Sequence, residues 1–262
     1  MRIKANKHFI FCQIAGSEKA ATVCLSHSLA CSGVMWEPQM PALSQRFRVL
    51  RYDTRGHGGS DAPSPPYSLD QLADDAVAML DELGIERVHW LGLSMGGMIG
   101  QNLALRYPQR LLSLILCDTL SVISDAAQPI WEDRIETANR DGMAPLCEPT
   151  LARWFTPSYL EKNPPSLASI RAQILNTPVR GYIGCCEAVR RIDYINRLSG
   201  IRLPTRVIVG ADDPATTPDD AKAIHERIEG SSLVIIDDAA HLSNVEQPEA
   251  FDQAVLDFLE SR

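Results

Sequence analysis

The chain has 262 residues, within reach of a single α/β unit, and 45% hydrophobic residues are enough for a large core. A formal charge of -8 excludes the cationic face that nucleic-acid and anionic-membrane binding need, so neither partner is expected. No apolar run reaches the roughly 18 residues of a membrane span, and Met1-Arg2-Ile3-Lys4 leads into no signal-peptide core, which predicts a soluble, cytoplasmic protein.

In chain order, Arg2 to Ala5 and His8 to Ile14 flank Asn6-Lys7 and predict an antiparallel hairpin. Apolar runs then alternate with helical patterns. Strands are expected at Ala21-Leu25, Phe47-Tyr52, Val88-Leu93, Leu112-Cys117, Thr205-Val209 and Leu233-Ile236. Helices are expected at Leu69-Leu83, Met95-Arg106, Asp219-Ile228 and Pro248-Leu259. Crossovers of that length predict an α/β fold with a mostly parallel sheet flanked by helices. From about Ser121 to Arg197 no strand is evident, and seven prolines from Pro129 to Pro178 punctuate helical segments. This predicts a helical lid, 121–197, inserted into a core formed by 1–120 and 198–262.

Seven cysteines make an odd set: Cys12, Cys24, Cys31, Cys117, Cys147, Cys185 and Cys186. Three fall inside expected strands, where a thiol acts as a small buried hydrophobe. Adjacent Cys185 and Cys186 suit no disulfide, and no CxxC or Cys/His spacing points to zinc; reduced thiols, no metal and no cofactor are expected.

Gly92-Leu93-Ser94-Met95-Gly96 lies between the strand Val88-Leu93 and a helix, the form of a nucleophile elbow. Small residues around Ser94 let a strained turn form, and the next helix aims its first amides at the space where an anionic intermediate would develop. Serine needs a base, and the base needs a partner that fixes its tautomer. Asp212-Asp213 follows the strand ending at Val209, and His241 follows the strand ending at Ile236, in the order serine, acid, histidine expected of this fold. His8 and His89 lie in strands and His225 in a helix, which leaves His241 as the base. Asp212 and Asp213 both remain eligible as the acid; Asp237 and Asp238 are too near His241 in sequence. Oxyanion donors are expected in the amides of Met95 and of Leu29, with Ser28 next to it; His27 is read as shaping that loop. The run Asp53-Thr54-Arg55-Gly56-His57-Gly58-Gly59 is read as a hydrogen-bonded scaffold turn.

These residues resemble the α/β-hydrolase superfamily over essentially the whole chain, and within it the 3-oxoadipate enol-lactonases. The resemblance rests on Leu25-Ser26-His27-Ser28-Leu29, Val49 to Gly58, Gly92 to Gln101, Arg153-Trp154-Phe155-Thr156-Pro157, Gly181 to Cys186, Asp213-Pro214-Ala215-Thr216-Thr217-Pro218 and Ala240 to Asn244. It implies that the aspartate preceding proline, Asp213, is the acid. It also implies a small anionic lactone as substrate, whose free carboxylate calls for an arginine in an otherwise apolar pocket. Trp131 and Arg134, three apart on an expected lid helix, are the preferred pocket pair, with Trp154 lining the pocket or packing the lid to the core; Arg153, adjacent to Trp154, is expected to diverge from it. The same motifs serve other esterases, perhydrolases and carbon-carbon bond hydrolases, and a non-catalytic ligand sensor could keep the fold. A monomer and a homo-oligomer are both compatible with the sequence.

Overall fold

The computed structural model describes residues 1–261. Arg2–Ala5 (β1) and His8–Ala15 (β2) form the antiparallel hairpin, turned at Asn6 with φ of 54°. Thr22–Ser26 (β3), Arg48–Tyr52 (β4), Val88–Leu93 (β5), Leu111–Cys117 (β6), Thr205–Gly210 (β7) and Ser232–Ile236 (β8) complete an 8-stranded sheet. Its order is β1-β2-β4-β3-β5-β6-β7-β8; β2 joins β4 antiparallel and every later pairing is parallel. All residues of β5 are buried, as expected for a central parallel strand covered on both faces. The expected strands are all present. Ala21 and Phe47 sit just outside theirs, although the Ala21 carbonyl already accepts the Arg48 amide at 3.0 Å.

The core helices begin with Met40–Ser44 (α1), Leu69–Glu82 (α2) and Met95–Arg106 (α3). Ser68 starts α2 through a capping box with Gln71. Between β6 and β7 lie Gln128–Asp141 (α4), Ala144–Trp154 (α5), Pro157–Lys162 (α6), Pro165–Asn176 (α7) and Val179–Val189 (α8). Prolines in the first turns of α4 to α7 set these helix starts, since proline has no amide to lose there and its φ is already helical. A single antiparallel bridge, Val122 with Asp193, closes the base of this insertion. Pro218–Arg227 (α9), Ser243–Glu246 (α10) and Pro248–Leu259 (α11) complete the chain. Neither α1, α10 nor a 3-10 turn at Gly33–Gln39 was expected; each is too short to show a helical period. No helix of the described residues is long and apolar enough to cross a membrane. All seven cysteines are buried and unpaired.

Candidate active site

Strand β5 delivers its chain directly into Ser94, whose φ of 55° and ψ of -116° lie where non-glycine residues rarely go. The surrounding structure holds it there. The Ser94 amide donates to Cys117 O at 2.8 Å, and Ser94 O accepts from Thr119 Oγ1 at 2.8 Å. Space explains the glycines: a Cβ on Gly92 would lie 2.2 Å from Gly96 O, and one on Gly96 only 2.1 Å from Ser26 O.

Two further strand ends meet this serine. His241 Nε2 lies 3.0 Å from Ser94 Oγ, and His241 Nδ1 lies 2.9 Å from Asp213 Oδ2. Both partners are buried, His241 at 3% and Asp213 at 3% exposure, so the series is shielded from competing water. Asp213 Oδ1 accepts the amides of Ala215 at 2.7 Å and Thr216 at 3.1 Å, and Oδ2 accepts Thr216 Oγ1 at 2.6 Å. Burial alone would raise the Asp213 pKa, but His241 and the Thr216 donors outweigh it and leave the carboxyl below its usual value. An ionised Asp213 keeps the His241 proton on Nδ1 and frees Nε2 to accept from the serine. Asp212 is exposed on a separate groove, which settles the geometry between the two neighbours.

The loop after β3 faces the same serine. The Ser28 amide donates to Met35 Sδ at 3.3 Å, whereas the Leu29 amide has no protein acceptor among the described residues. Met95 opens α3, where an amide has no partner within the helix. These two donors border the cavity at Ser94. Two buried histidines shape the loop. His27 Nε2 accepts the Thr54 amide at 2.9 Å while its Nδ1 donates to Ser28 O at 2.7 Å, and His57 Nε2 accepts the Ala30 amide at 3.0 Å. Burial lowers the pKa of His27 to about 4 and that of His57 to about 3, so both stay neutral and can accept. Asp53 ties the supporting turn by accepting from Gly33 N at 2.7 Å and Gly59 N at 2.8 Å. The glycine-rich turn at 53–59 is therefore scaffold for the early loop.

Ser94 and His241 open onto a cavity of about 550 Å³ roofed by α4, α5 and α8. Its wall includes Trp131, Arg134, Arg153 and Trp154. The Arg134 guanidinium lies 4.7 Å from the Trp131 ring centroid, a cation–π contact made by the expected three-residue spacing. Arg140, Arg171 and Arg190 of the same insertion each pair with a carboxylate. Arg134 and Arg153 pair with none among the described residues; Arg153 reaches only Thr150 Oγ1, at 3.5 Å. Burial of Arg153, and then the neighbouring Arg134, lower the Arg153 pKa, as two like charges on one wall should. The Trp154 ring lies 5.9 Å from that of His241.

Residues 21–248 match the family described as alpha/beta hydrolase fold. The chain belongs to that α/β-hydrolase family. The hydrolase is 37% identical over 240 residues to 3-oxoadipate enol-lactonase 2 of Acinetobacter baylyi, covering 92% of this chain and 89% of that one. It is 33% identical over 244 residues to the putative carbamate hydrolase RutD of a Caulobacter species, covering 91% and 90%. Among solved structures, the enol-lactonase from Burkholderia xenovorans LB400 superposes with a TM-score of 0.96 at 40% identity, covering 99% of this chain and 100% of that one.

The structure brings Ser94, His241, Asp213, Met95, Leu29, Trp131, Arg134 and Trp154 to one place. Arg153, expected to diverge from Trp154, lines the same cavity. Both line the cavity, because the last turn of α5 ends at its wall. Two buried carboxylates beside His241 went unnoticed in the sequence. Asp118 Oδ1 accepts the Gly210 amide and its Oδ2 accepts Ser243 Oγ at 2.6 Å; Glu246 contacts Ala240 and Thr156.

Proposed function

We propose that the hydrolase opens 3-oxoadipate enol-lactone to 3-oxoadipate in aromatic compound catabolism, with Ser94 as nucleophile, His241 as base and Asp213 as the acid that orients it. One observation carries this reading: the hydrogen-bonded serine, histidine and aspartate open on a cavity whose wall holds two arginines without carboxylate partners. Guanidinium groups without a carboxylate partner, that of Arg153 partly buried, favour an anion held by bidentate hydrogen bonds. The lactone supplies one in its carboxymethyl group, remote from the reacting carbonyl. The enol-lactonase relatives point the same way. A carbamate, suggested by the RutD relatives, has its charge at the reacting carbon and would leave both arginines unused.

The steps follow from the geometry. His241 Nε2 takes the Ser94 proton as Oγ attacks the lactone carbonyl, and the amides of Met95 and Leu29 receive the oxyanion. Collapse breaks the ring carbon–oxygen bond, and His241 returns its proton to the departing enolate, which becomes an enol and tautomerises to the ketone. His241 then takes a proton from water; the hydroxide attacks the acyl-enzyme, and the second collapse frees the new carboxylate and restores the Ser94 proton. Arg134 and Arg153, with Trp131 beside them, hold the existing carboxylate throughout.

The test is steady-state turnover of freshly generated enol-lactone beside p-nitrophenyl acetate, a neutral ester. Two charge-assisted contacts at roughly 1.5–3 kcal/mol each predict a kcat/KM advantage for the lactone of about 10²-fold or more. Equal turnover of the two would overturn the lactone assignment. Ser94→Ala should reduce both rates by at least about 10⁴-fold.

A further inference from the structure

Glu246 is a buried carboxylate, 7% exposed, that no step above uses. It ends α10, five positions after His241. A carboxylate in such a place is strongly destabilising unless donors satisfy it, and this one has three. Oε2 accepts the Ala240 amide at 2.9 Å; Oε1 accepts the Thr156 amide at 3.0 Å and also the Thr156 hydroxyl. On the other side of the histidine, the Leu242 amide donates to Trp154 O at 3.2 Å. Trp154 also lays its ring against His241, 5.9 Å between centroids and 33° between planes. Residues immediately before and after His241 are thus both fastened to the turn between α5 and α6. Tyr159 of α6 adds a contact to Val245 O at 3.3 Å.

We infer that Glu246 is a positioning residue: by clamping Ala240 to Thr156 it makes the seating of His241 beside Ser94 depend on the seating of the Trp154–Thr156 turn. This rests on the reading of His241 as the base. It makes the α5–α6 side of the roof a fixed jaw, joined to the reacting group. A bare structural anchor would have no reason to bracket the histidine from both sides. Thr156 is the adjustable end, because valine keeps its shape and its amide while removing the hydroxyl.

The test uses an activated neutral aryl ester, so that failure of the enol-lactone assignment, seen as poor lactone turnover with normal ester turnover, leaves this inference standing. Thr156→Val should lower kcat about tenfold with KM within about twofold, and Thr156→Ser should restore it. Glu246→Gln places an amide donor against donors and should lower kcat about 10²-fold, the scale of a misplacement of about 1 Å. In both variants the proton between His241 and Asp213, read as a far-downfield resonance, should exchange with water faster than in the wild type. If Glu246→Gln does not fold, the Thr156 pair decides. A lower Tm with kcat and the downfield resonance unchanged would overturn the inference and leave Glu246 as an anchor only.

Discussion

The strand-end loops and the helical roof build one site by different means. At the strand ends, backbone does most of the placing: Ser94 sits in a strained conformation held by Cys117 O and the Thr119 hydroxyl, and Asp213 is fixed by two backbone amides beside the Thr216 hydroxyl. In the roof, side chains do it, through a guanidinium over Trp131 and through Arg153 at the end of α5. By this division the α4 face of the roof can be rebuilt without moving the elbow, whereas its α5–α6 side is tied to the residues flanking His241.

Three experiments would break or sharpen that division. The largest effect is expected at the strand ends. Asp213→Asn should lower kcat by about 10⁴-fold with little change in KM, since the wrong histidine tautomer then faces the serine. A loss confined to KM in a kinetic comparison would show that the division is drawn in the wrong place. Next come the roof arginines. Arg134→Met and Arg153→Met should each raise KM for the lactone by about ten- to a hundredfold and leave neutral-ester turnover within about twofold. Equal loss on both substrates would mean that these arginines support the fold.

The smallest effect concerns the early loop and pH. His27 and His57 have pKa values lowered by burial to about 4 and about 3, below the unfolded value near 6.5. Each therefore contributes stability that is present in full above about pH 6.5 and declines as the unfolded chain takes up protons that the native state refuses. One pH unit below that value, the loss is about 1.4 kcal/mol per histidine, continuing until the folded values are reached. Thermal unfolding between pH 7 and pH 4 measures it. A Tm independent of pH over that range would show that these histidines do not remain neutral in the native state.

The contrast also explains what could be read from the sequence. The elbow was legible because glycine spacing, an apolar strand and a helix coincide around Ser94. The acid was not, from the residues alone: Asp212 and Asp213 share a loop, and only resemblance to a family separated them before the structure showed one exposed and the other on His241. Arg153 was misread because helical spacing gives the direction of a Cβ and not the path of a long side chain. Asp118 was invisible since its partners, Gly210 and Ser243, lie far along the chain and meet it only in the folded sheet. Short helices such as α10 escape for want of a full period.

The turn at Gly56 meets helix α8 at Gly181 with no side chain between them. A Cβ on either would lie 2.4 Å from the Cα of the other. Tyr182, the next residue, lines the cavity. The Gly56–Gly181 approach is a contact of two backbones, whereas Trp131, Arg134 and Arg153 reach the cavity wall through their side chains. Exchanging Trp131, Arg134 or Arg153 changes the wall and leaves that contact in place; one added methyl at Gly56 or Gly181 would force the turn and α8 apart.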